Sequence, residues 1–249
     1  MTILYEDNHL LIVSKAAGDI VQGDKTGDRT LADMAKDYIR EKYHKPGQVF
    51  LGVTHRLDRP VSGCVVLART SKALSRMNDM FRRGEVSKTY HAIVLPPPPG
   101  HTSWQSGADV PDDEGRQRLT AWLTRNEKQN KSYAHRRQVA GAKQAVLDYR
   151  TLAHGDRYDL VEVRLHTGRH HQIRCQLAAD GRPIKGDLKY GAPRSNPDGS
   201  ISLHARTVRF IHPVSHEPIC VTAPYPADPL WQRLSDLATP QQSDDTSAL

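Results

Sequence analysis

Short apolar segments bounded by turn residues recur along this chain, and they restrict the possible folds more than any other feature. Residues 3–5 and 10–13 flank a polar turn, and residues 145–152 and 158–165 flank a second turn around Gly155. Apolar segments of this length, joined by short turns, favour strands that pair as antiparallel hairpins. Further segments of the same kind are residues 64–68, 88–95, 119–123, 203–211 and 218–221. We therefore predict an α+β fold built on a mixed, largely antiparallel sheet flanked by helices.

Helix signals interrupt this series of strands. A helix is predicted wherever a residue able to cap its first turn precedes a stretch with a helical pattern. The predicted helices are residues 31–43 after Thr30, residues 71–83 after Thr70 or Ser71 with an end at Gly84, and residues 167–177 opened by Thr167 and Gly168 with an end at Gly181. The last residues, 235–249, are polar and are expected to form a flexible tail.

The charge balance favours a polyanionic partner. The 249 residues include 35 Lys and Arg against 28 Asp and Glu, which gives a formal net charge of +7. No apolar run approaches the roughly 20 residues that span a bilayer, and the first strand begins without a signal peptide. Cys64, Cys175 and Cys220 are isolated and lack the spacing of metal ligands. We expect a cytoplasmic protein without a metal and without a membrane partner.

One loop gathers charged residues around a single carboxylate. Asp58 lies between Arg56 and Arg59 in residues 54–63, where the chain bends before an apolar strand. Nearby positive charge favours the ionised form of a carboxyl group, so Asp58 is expected to be charged at neutral pH. The charge pattern alone fits a surface ion pair or an Asp-initiated turn equally well, because structural ion pairs give the same pattern.

The order His55-Arg56-Leu57-Asp58, continued as Arg-Pro-Val-Ser-Gly, resembles the active-site motif of the RluA-type family of RNA pseudouridine synthases. Other stretches resemble motifs of that family in the same order: the opening strands with Lys15-Ala16-Ala17-Gly18, then Lys88-Thr89-Tyr90, residues 167–174, Gly186-Asp187 with Tyr190-Gly191, residues 203–205 and Ala223-Pro224. Each motif is weak alone, but together they cover nearly the whole chain. The sequence departs from the family at Ala16, where Pro is usual, and at Gln176, where His is common.

The resemblance implies an enzyme that isomerises uridine in structured rRNA or tRNA to pseudouridine without a cofactor. It implies that Asp58 and Tyr90 carry the chemistry and that Arg174 pairs with Asp58. The residues expected to contact the RNA or the uridine are His55, Arg56, Arg59, Thr167, Gly168, Arg169, Gln172, Arg136 and Arg137. Among these, Arg56 is expected to fill the space left by a flipped base, and the helix N-terminus at Thr167 and Gly168 to bind a phosphate.

We further expect one catalytic domain over residues 1–234, without a separate N-terminal RNA-binding domain, and a monomer. Selection of the target RNA would then depend on the catalytic domain itself. Residues 125–143 are the candidate for it, since they carry six cations and Glu127 as their only acid. A merely solvated loop is the alternative interpretation of this basic stretch.

Two other functions compete with this interpretation. A non-catalytic RNA-binding protein on the same fold would use the basic face alone, but it need not keep Asp58, Tyr90 and Arg174 together. A hydrolase would need a second carboxylate or a metal cluster, and neither appears near the motif. His170 and His171 are not expected to share a metal, because neighbours on a helix diverge by about 100°.

Overall fold

The computed structural model describes residues 1–23, 27–104 and 115–239. Within these ranges the strands are β1 (Thr2–Glu6), β2 (Leu10–Lys15), β3 (Gly52–Val53), β4 (Ser62–Ala68), β5 (Ser87–Val94), β6 (Gln117–Asn126), β7 (Lys131–His135), β8 (Lys143–His154), β9 (Asp159–Leu165), β10 (Leu203–Ile211) and β11 (Pro218–Thr222). The α-helices are α1 (Leu31–Lys42), α2 (Ser71–Arg83), α3 (Gln172–Ala179) and α4 (Pro229–Ala238), and a 3₁₀ turn covers Leu188–Tyr190.

All of these strands belong to one sheet. The strand order is β1-β2-β4-β10-β5-β9-β8-β6-β7, with β11 paired to β10 and β3 paired to β4. The pairs are antiparallel except β4–β10, which is parallel. The predicted α+β fold with a mixed, largely antiparallel sheet is confirmed.

The central strands are buried on both faces, which explains their continuous apolar runs. In β2, Leu11 and Val13 pack on the side of the sheet that α1 covers. Leu10 and Ile12 pack on the opposite side with α2 residues such as Met77.

The caps of α1 and α2 lie where the sequence predicted them. Thr30 and Asp33 form a capping box at α1, and α2 begins after Thr70 and ends at Gly84 in the left-handed conformation.

The third helix begins five residues later than predicted, at Gln172. The Thr167 hydroxyl accepts a hydrogen bond from Val146 N of β8 at 2.9 Å, so it does not cap a helix. His171 precedes the helix in a left-handed conformation with φ of 52°. The prediction that Thr167 and Gly168 form a helix N-terminus is therefore wrong, and the phosphate site inferred from it has no basis in this structure.

The basic stretch forms a hairpin and not a single exposed loop. Strand β6 continues to Asn126, and β7 pairs back on it with Thr124 opposite Tyr133. Because β7 lies at the edge of the sheet and pairs with β6 alone among the described strands, its sequence lacks the alternation of a buried strand. Ser132 is nevertheless buried. We refer to residues 125–143 as the basic hairpin.

Helix α4 was not predicted from the sequence. Asp228 caps it by accepting a hydrogen bond from Leu230 N, and Trp231 and Leu234 bury its inner face. The boundary expected at residue 235 falls inside this helix, which continues to Ala238. Residues 240–249 of the expected tail lie outside the described residues.

One close approach of strands fixes the geometry beside the Asp58 loop. Gly63, Ala205 and Tyr90 lie in one row across β4, β10 and β5. A Cβ atom on Gly63 would lie 2.3 Å from the Ala205 carbonyl oxygen, and Gly63 has a φ of 114°. Glycine at this position therefore allows β10 to lie between the Asp58 loop and Tyr90.

We expect Gly63→Ala to lower the free energy of unfolding by about 2–5 kcal/mol, because strand overpacking adds to the strain of a positive φ. Gly84→Ala is the matched control, since Gly84 has a φ of 74° and a Cβ placed on it would have no heavy atom within 4 Å. Its cost should be the backbone strain alone, roughly 1–2 kcal/mol. Urea denaturation followed by circular dichroism measures both variants. Equal destabilisation of the two would show that the close approach to Ala205 does not constrain the sheet.

Candidate active site

Backbone hydrogen bonds hold the loop that carries Asp58. Val61 N donates to the Asp58 carbonyl at 3.0 Å and closes a turn. The next two carbonyls of the loop are also bound, since Gly18 N donates to Arg59 O at 2.8 Å and Ile201 N donates to Pro60 O at 3.1 Å. The loop is therefore attached to two separate parts of the chain, and the position of the Asp58 backbone is fixed.

A buried lysine also supports this loop. Lys15, at the end of β2, is 1% exposed and donates from Nζ to the carbonyls of Ala16 and Arg59 at 2.9 and 3.0 Å. Burial lowers the pKa of Lys15 to about 8, and the charges of Asp19 and Asp58 oppose that change.

His55 attaches the start of the loop to β4. Its Nε2 accepts a hydrogen bond from Val66 N at 3.0 Å, and its ring lies 4.8 Å from the ring of Phe81. Burial, helped by the charge of Lys88, lowers the pKa of His55 to about 3, so the imidazole is neutral. These contacts give His55 a structural role, and its contact with RNA stays a prediction.

The pair between Arg174 and Asp58, expected from the sequence, is present. Arg174 Nη1 on α3 donates to Asp58 Oδ2 at 3.0 Å, although 116 residues separate the two in the chain. The remaining face of the guanidinium binds Asp187, with Nε to Oδ2 at 2.6 Å and Nη2 to Oδ1 at 2.9 Å. Arg174 and Asp187 are 6% and 1% exposed. Burial opposes the charge of Arg174, but the hydrogen bonds and charge of Asp187 raise the pKa of the guanidinium.

A ring nitrogen also faces the same carboxylate oxygen. His171 Nε2 lies 3.4 Å from Asp58 Oδ2, and His171 is buried. Within the described ranges, Asp58 Oδ1 has neither a hydrogen bond nor an ion pair. The contacts therefore hold one oxygen of the carboxylate and leave the other open.

No role for His171 or Asp187 was predicted from the sequence. His171 and His170 were expected to diverge on a helix, but both precede α3 and their rings stack with centroids 3.8 Å apart. A non-glycine residue with positive φ costs on the order of 1–3 kcal/mol, and such strain often marks a functional position. Nothing in the sequence indicates that conformation. Asp187 was part of a recognised motif, but its partner became evident only in the fold.

Tyr90 lies on β5 with its side chain largely buried. Burial, and then the charge of Asp58, raises the pKa of Tyr90 well above its ordinary value, so the phenol keeps its proton. Its hydroxyl makes no hydrogen bond to any residue that the structure describes. Tyr90 therefore offers an aromatic surface and an unused hydroxyl close to Asp58.

The turn before α3 uses most of its predicted ligand-binding groups internally. Gln172 is buried, and its Oε1 accepts hydrogen bonds from Thr167 Oγ1 at 2.8 Å and Arg169 N at 2.9 Å. Its Nε2 donates to Val146 O at 3.1 Å. Gln172 and Thr167 therefore hold the turn against β8, and contact of either residue with RNA stays a prediction. Gly168 remains exposed, and a Cβ placed on it would lie 3.8 Å from Lys88 Nζ.

The predicted RNA-binding arginines differ in their surroundings. Arg56 is exposed and has no hydrogen bond or ion pair with the residues described. Arg59 pairs with Asp28. Arg169 is exposed and donates to the Gln144 carbonyl. In the basic hairpin, Arg136 stacks over Trp104 and Arg137 is exposed. Among the described residues, Arg59 is therefore the only one of these five in an ion pair, and Arg56 and Arg137 have neither a hydrogen bond nor a ring contact.

Gln176 stands where histidine is common in the family that this sequence resembles. It is buried, and its Nε2 donates to Leu119 O at 3.0 Å and Ala145 O at 3.2 Å. The side chain therefore joins α3 to β6 and β8 and lies on the helix that carries Arg174. These hydrogen bonds support the packing of α3, and neither of them reaches Asp58.

The described residues contain no group of three His, Cys, Asp or Glu side chains arranged to hold a metal ion. In the same ranges, none of the helices combines the length and apolar character needed to cross a bilayer.

Comparison with known proteins gives consistent matches. A family model described as RNA pseudouridylate synthase matches residues 9–179. The ribosomal large subunit pseudouridine synthase D of Xanthomonas campestris pv. campestris is 32% identical over 92% of this chain and 67% of its own length. The tRNA pseudouridine synthase C of Vibrio cholerae is 32% identical over 94% of each chain. The solved structure of human RNA Pseudouridylate Synthase Domain Containing 4 has a TM-score of 0.71 at 22% identity, covering 94% of this chain and 93% of its own, which shows the same fold.

We expect Asp187→Asn to lower the free energy of unfolding by about 3 kcal/mol, because it removes one partner of a buried ion pair. Asp156→Asn is the matched control, since Asp156 pairs with Arg233 at the surface and its side chain is 84% exposed. Loss of that exposed pair should leave the urea midpoint unchanged. Urea unfolding of the two variants and the wild type provides the comparison. A wild-type midpoint for Asp187→Asn would show that Asp187 does not stabilise the buried guanidinium.

Proposed function

The chain belongs to the RNA pseudouridylate synthase family, and from that premise we propose that it isomerises a uridine within structured rRNA or tRNA through Asp58. The observation that carries this proposal is the carboxylate of Asp58, whose Oδ2 is bound to Arg174, whose Oδ1 is left open by the described residues and whose charge acts on Tyr90. The relatives named above are an rRNA and a tRNA enzyme, so their names support the class of substrate and do not choose between the two.

The isomerisation exchanges one bond of the nucleoside for another. The bond between N1 of uracil and C1′ of the ribose breaks, and a bond between C5 and C1′ forms. The hydrogen on C5 leaves as a proton, and N1 gains a proton, so the reaction needs no oxidant and no second substrate. Positive character develops at the ribose when the first bond breaks, and a nearby carboxylate stabilises it.

Asp58 fits two roles in this step. It can attack the ribose carbon as a nucleophile, or it can remove a proton from the ribose. Either role requires an open carboxylate oxygen, and Oδ1 provides one while Arg174 holds Oδ2. Arg174 is itself fixed by Asp187, so it orients Asp58 without reaching the substrate.

Tyr90 complements the carboxylate. Its ring gives the detached uracil a surface to stack on while the base turns to present C5. Because burial keeps the phenol protonated, the hydroxyl acts as a hydrogen-bond or proton donor toward the base. The uridine must first leave the RNA helix at a cost of a few kcal/mol, and the exposed, unpaired Arg56 is placed to occupy the space that it leaves.

We expect Asp58→Asn to abolish isomerisation and to change RNA affinity by less than about three-fold, because phosphate contacts supply most of the affinity. The assay follows tritium release from 5-tritiated uridine in RNA prepared from cells that lack the protein. Asp79→Asn on α2 is the matched control, since Asp79 pairs with Arg82 at the surface. Activity of Asp58→Asn within ten-fold of wild type would rule out the proposed mechanism.

We also propose that the basic hairpin contributes to the choice of RNA. Its cations Arg125, Lys128, Arg137 and Lys143 are exposed, and Lys131 lies over the rings of Tyr133 and Tyr190. Tyr190 belongs to the turn that contacts His171, so the hairpin lies next to the Asp58 site. Exposed cations at this position can bind phosphates of the RNA that surrounds the target uridine.

Replacing Arg136, Arg137 and Lys143 by Ala should weaken RNA binding and flatten the plot of log K against log salt, by about 0.7–0.9 for each phosphate that is no longer bound. Turnover at saturating RNA should change less than two-fold, because Asp58, Tyr90 and Arg174 are unaffected. Lys36, Arg40 and Arg233 on α1 and α4 form a control set with the same total charge. If both triple variants have the same salt slope, the hairpin is solvated surface and another face binds the RNA.

A further inference from the structure

We propose that His171 is a positioning residue for Asp58 and that the Tyr190 hydroxyl fixes the imidazole proton on Nε2, toward the carboxylate. This inference rests on the proposed role of Asp58 and adds to it. From the sequence, His171 was considered only as a metal ligand and rejected in that role, and Tyr190 was only part of a motif.

A series of hydrogen bonds determines which ring nitrogen carries the proton. The backbone N–H of Ser132 lies 2.8 Å from the Tyr190 hydroxyl oxygen, and an amide N–H can only donate. The Tyr190 hydroxyl therefore accepts this bond and has its own proton to donate. His171 Nδ1 lies 2.9 Å from the same oxygen and is the acceptor available for that proton.

The neutral tautomer follows from that assignment. A neutral imidazole carries one N–H, and if Nδ1 accepts from Tyr190, the proton must be on Nε2. Nε2 is the nitrogen that lies 3.4 Å from Asp58 Oδ2. The hydrogen bonds therefore run from Ser132 N through Tyr190 to His171, and they leave the Nε2 proton facing the carboxylate oxygen across 3.4 Å.

The surroundings of His171 also favour a neutral ring. Burial, followed by the charge of Arg174, lowers the pKa of His171 to about 2. The other charged or titratable groups that act on His171 and Asp58 are His170, Lys189, Arg125, Lys15 and Tyr90. Most of them are cationic, so an imidazolium at this position would be repelled.

A neutral second donor suits a carboxylate that must react. The hydrogen bond from Arg174 together with an Nε2–H group facing Oδ2 restricts rotation of the carboxylate better than Arg174 alone does. A second full positive charge at Oδ2 would also stabilise the unreacted carboxylate and weaken it as a base or nucleophile. The left-handed backbone of His171 brings its ring toward Asp58, and Arg174 follows only three residues later. One short segment therefore supplies both donors.

The tautomer can be tested without measuring activity. Long-range ¹H–¹⁵N correlation spectra of the wild-type protein at pH 7 should show one histidine, identified by its absence in His171→Gln, with the proton on Nε2. In Tyr190→Phe the same ring should lose this preference and show a mixture of tautomers. A wild-type His171 that is protonated on Nδ1, doubly protonated or a mixture of tautomers would overturn the proposal.

The role in positioning requires a comparison of rates. His171→Met removes the donor at similar volume, and His171→Gln retains an amide N–H that can reach Asp58. Under single-turnover conditions at saturating RNA, we expect His171→Met to be slower by ten-fold or more and His171→Gln by no more than about three-fold.

His170→Gln is the matched control, since both nitrogens of His170 bond to other groups, Ser132 and Asn130. The single-turnover rate of His170→Gln should stay within two-fold of the wild-type rate. Equal rates for His171→Met and His171→Gln would overturn the proposal, whether both are fast or both are slow. If Asp58→Asn were active, the proposed function would fail, but the tautomer result would still decide the assignment at His171.

Discussion

The guanidinium of Arg174 is the group on which the arrangement of the site depends. It is buried, and a buried cation is costly unless its donors are paired. Asp187 binds two of its nitrogens and Asp58 binds the third. Because Asp187 is almost fully buried, the guanidinium has one stable orientation, and that orientation fixes the position of the Asp58 carboxylate. The chain thus holds the partly exposed Asp58 carboxylate in place by anchoring its partner in the interior.

The sheet brings together parts of the site that are distant in sequence. The Asp58 loop precedes β4, Tyr90 lies on β5, and β10 is inserted between these two strands by the parallel pairing with β4. Gly63 permits that insertion, because its lack of a side chain leaves space for the Ala205 backbone. On the other side, α3 packs against β6 and β7 and directs Arg174 toward the loop. The same packing places the basic hairpin beside the site.

Much of this could be predicted from the sequence, and the failures have physical causes. Asp58, Tyr90 and Arg174 stood out because their motifs resemble a known family, and the contact between Asp58 and Arg174 is present. The start of α3 was misplaced because a hydroxyl residue followed by a helical pattern resembles a cap, whereas the Thr167 hydroxyl bonds across to β8. Strand β7 was missed because an edge strand shows little alternation. The contacts of His171 and Asp187 depend on a left-handed backbone and on long-range packing, which no local pattern encodes.

The central claim is that this chain makes pseudouridine in an RNA by means of Asp58. The most direct measurement is carbodiimide mapping of pseudouridine by primer extension, across the rRNA and tRNA of cells that lack the protein. The same cells are then supplied with the wild-type protein or with Asp58→Asn at equal abundance. We predict that one or more pseudouridines disappear in the cells that lack the protein and return with the wild type alone. An unchanged set of pseudouridines in those cells, or their return with Asp58→Asn, would contradict the claim.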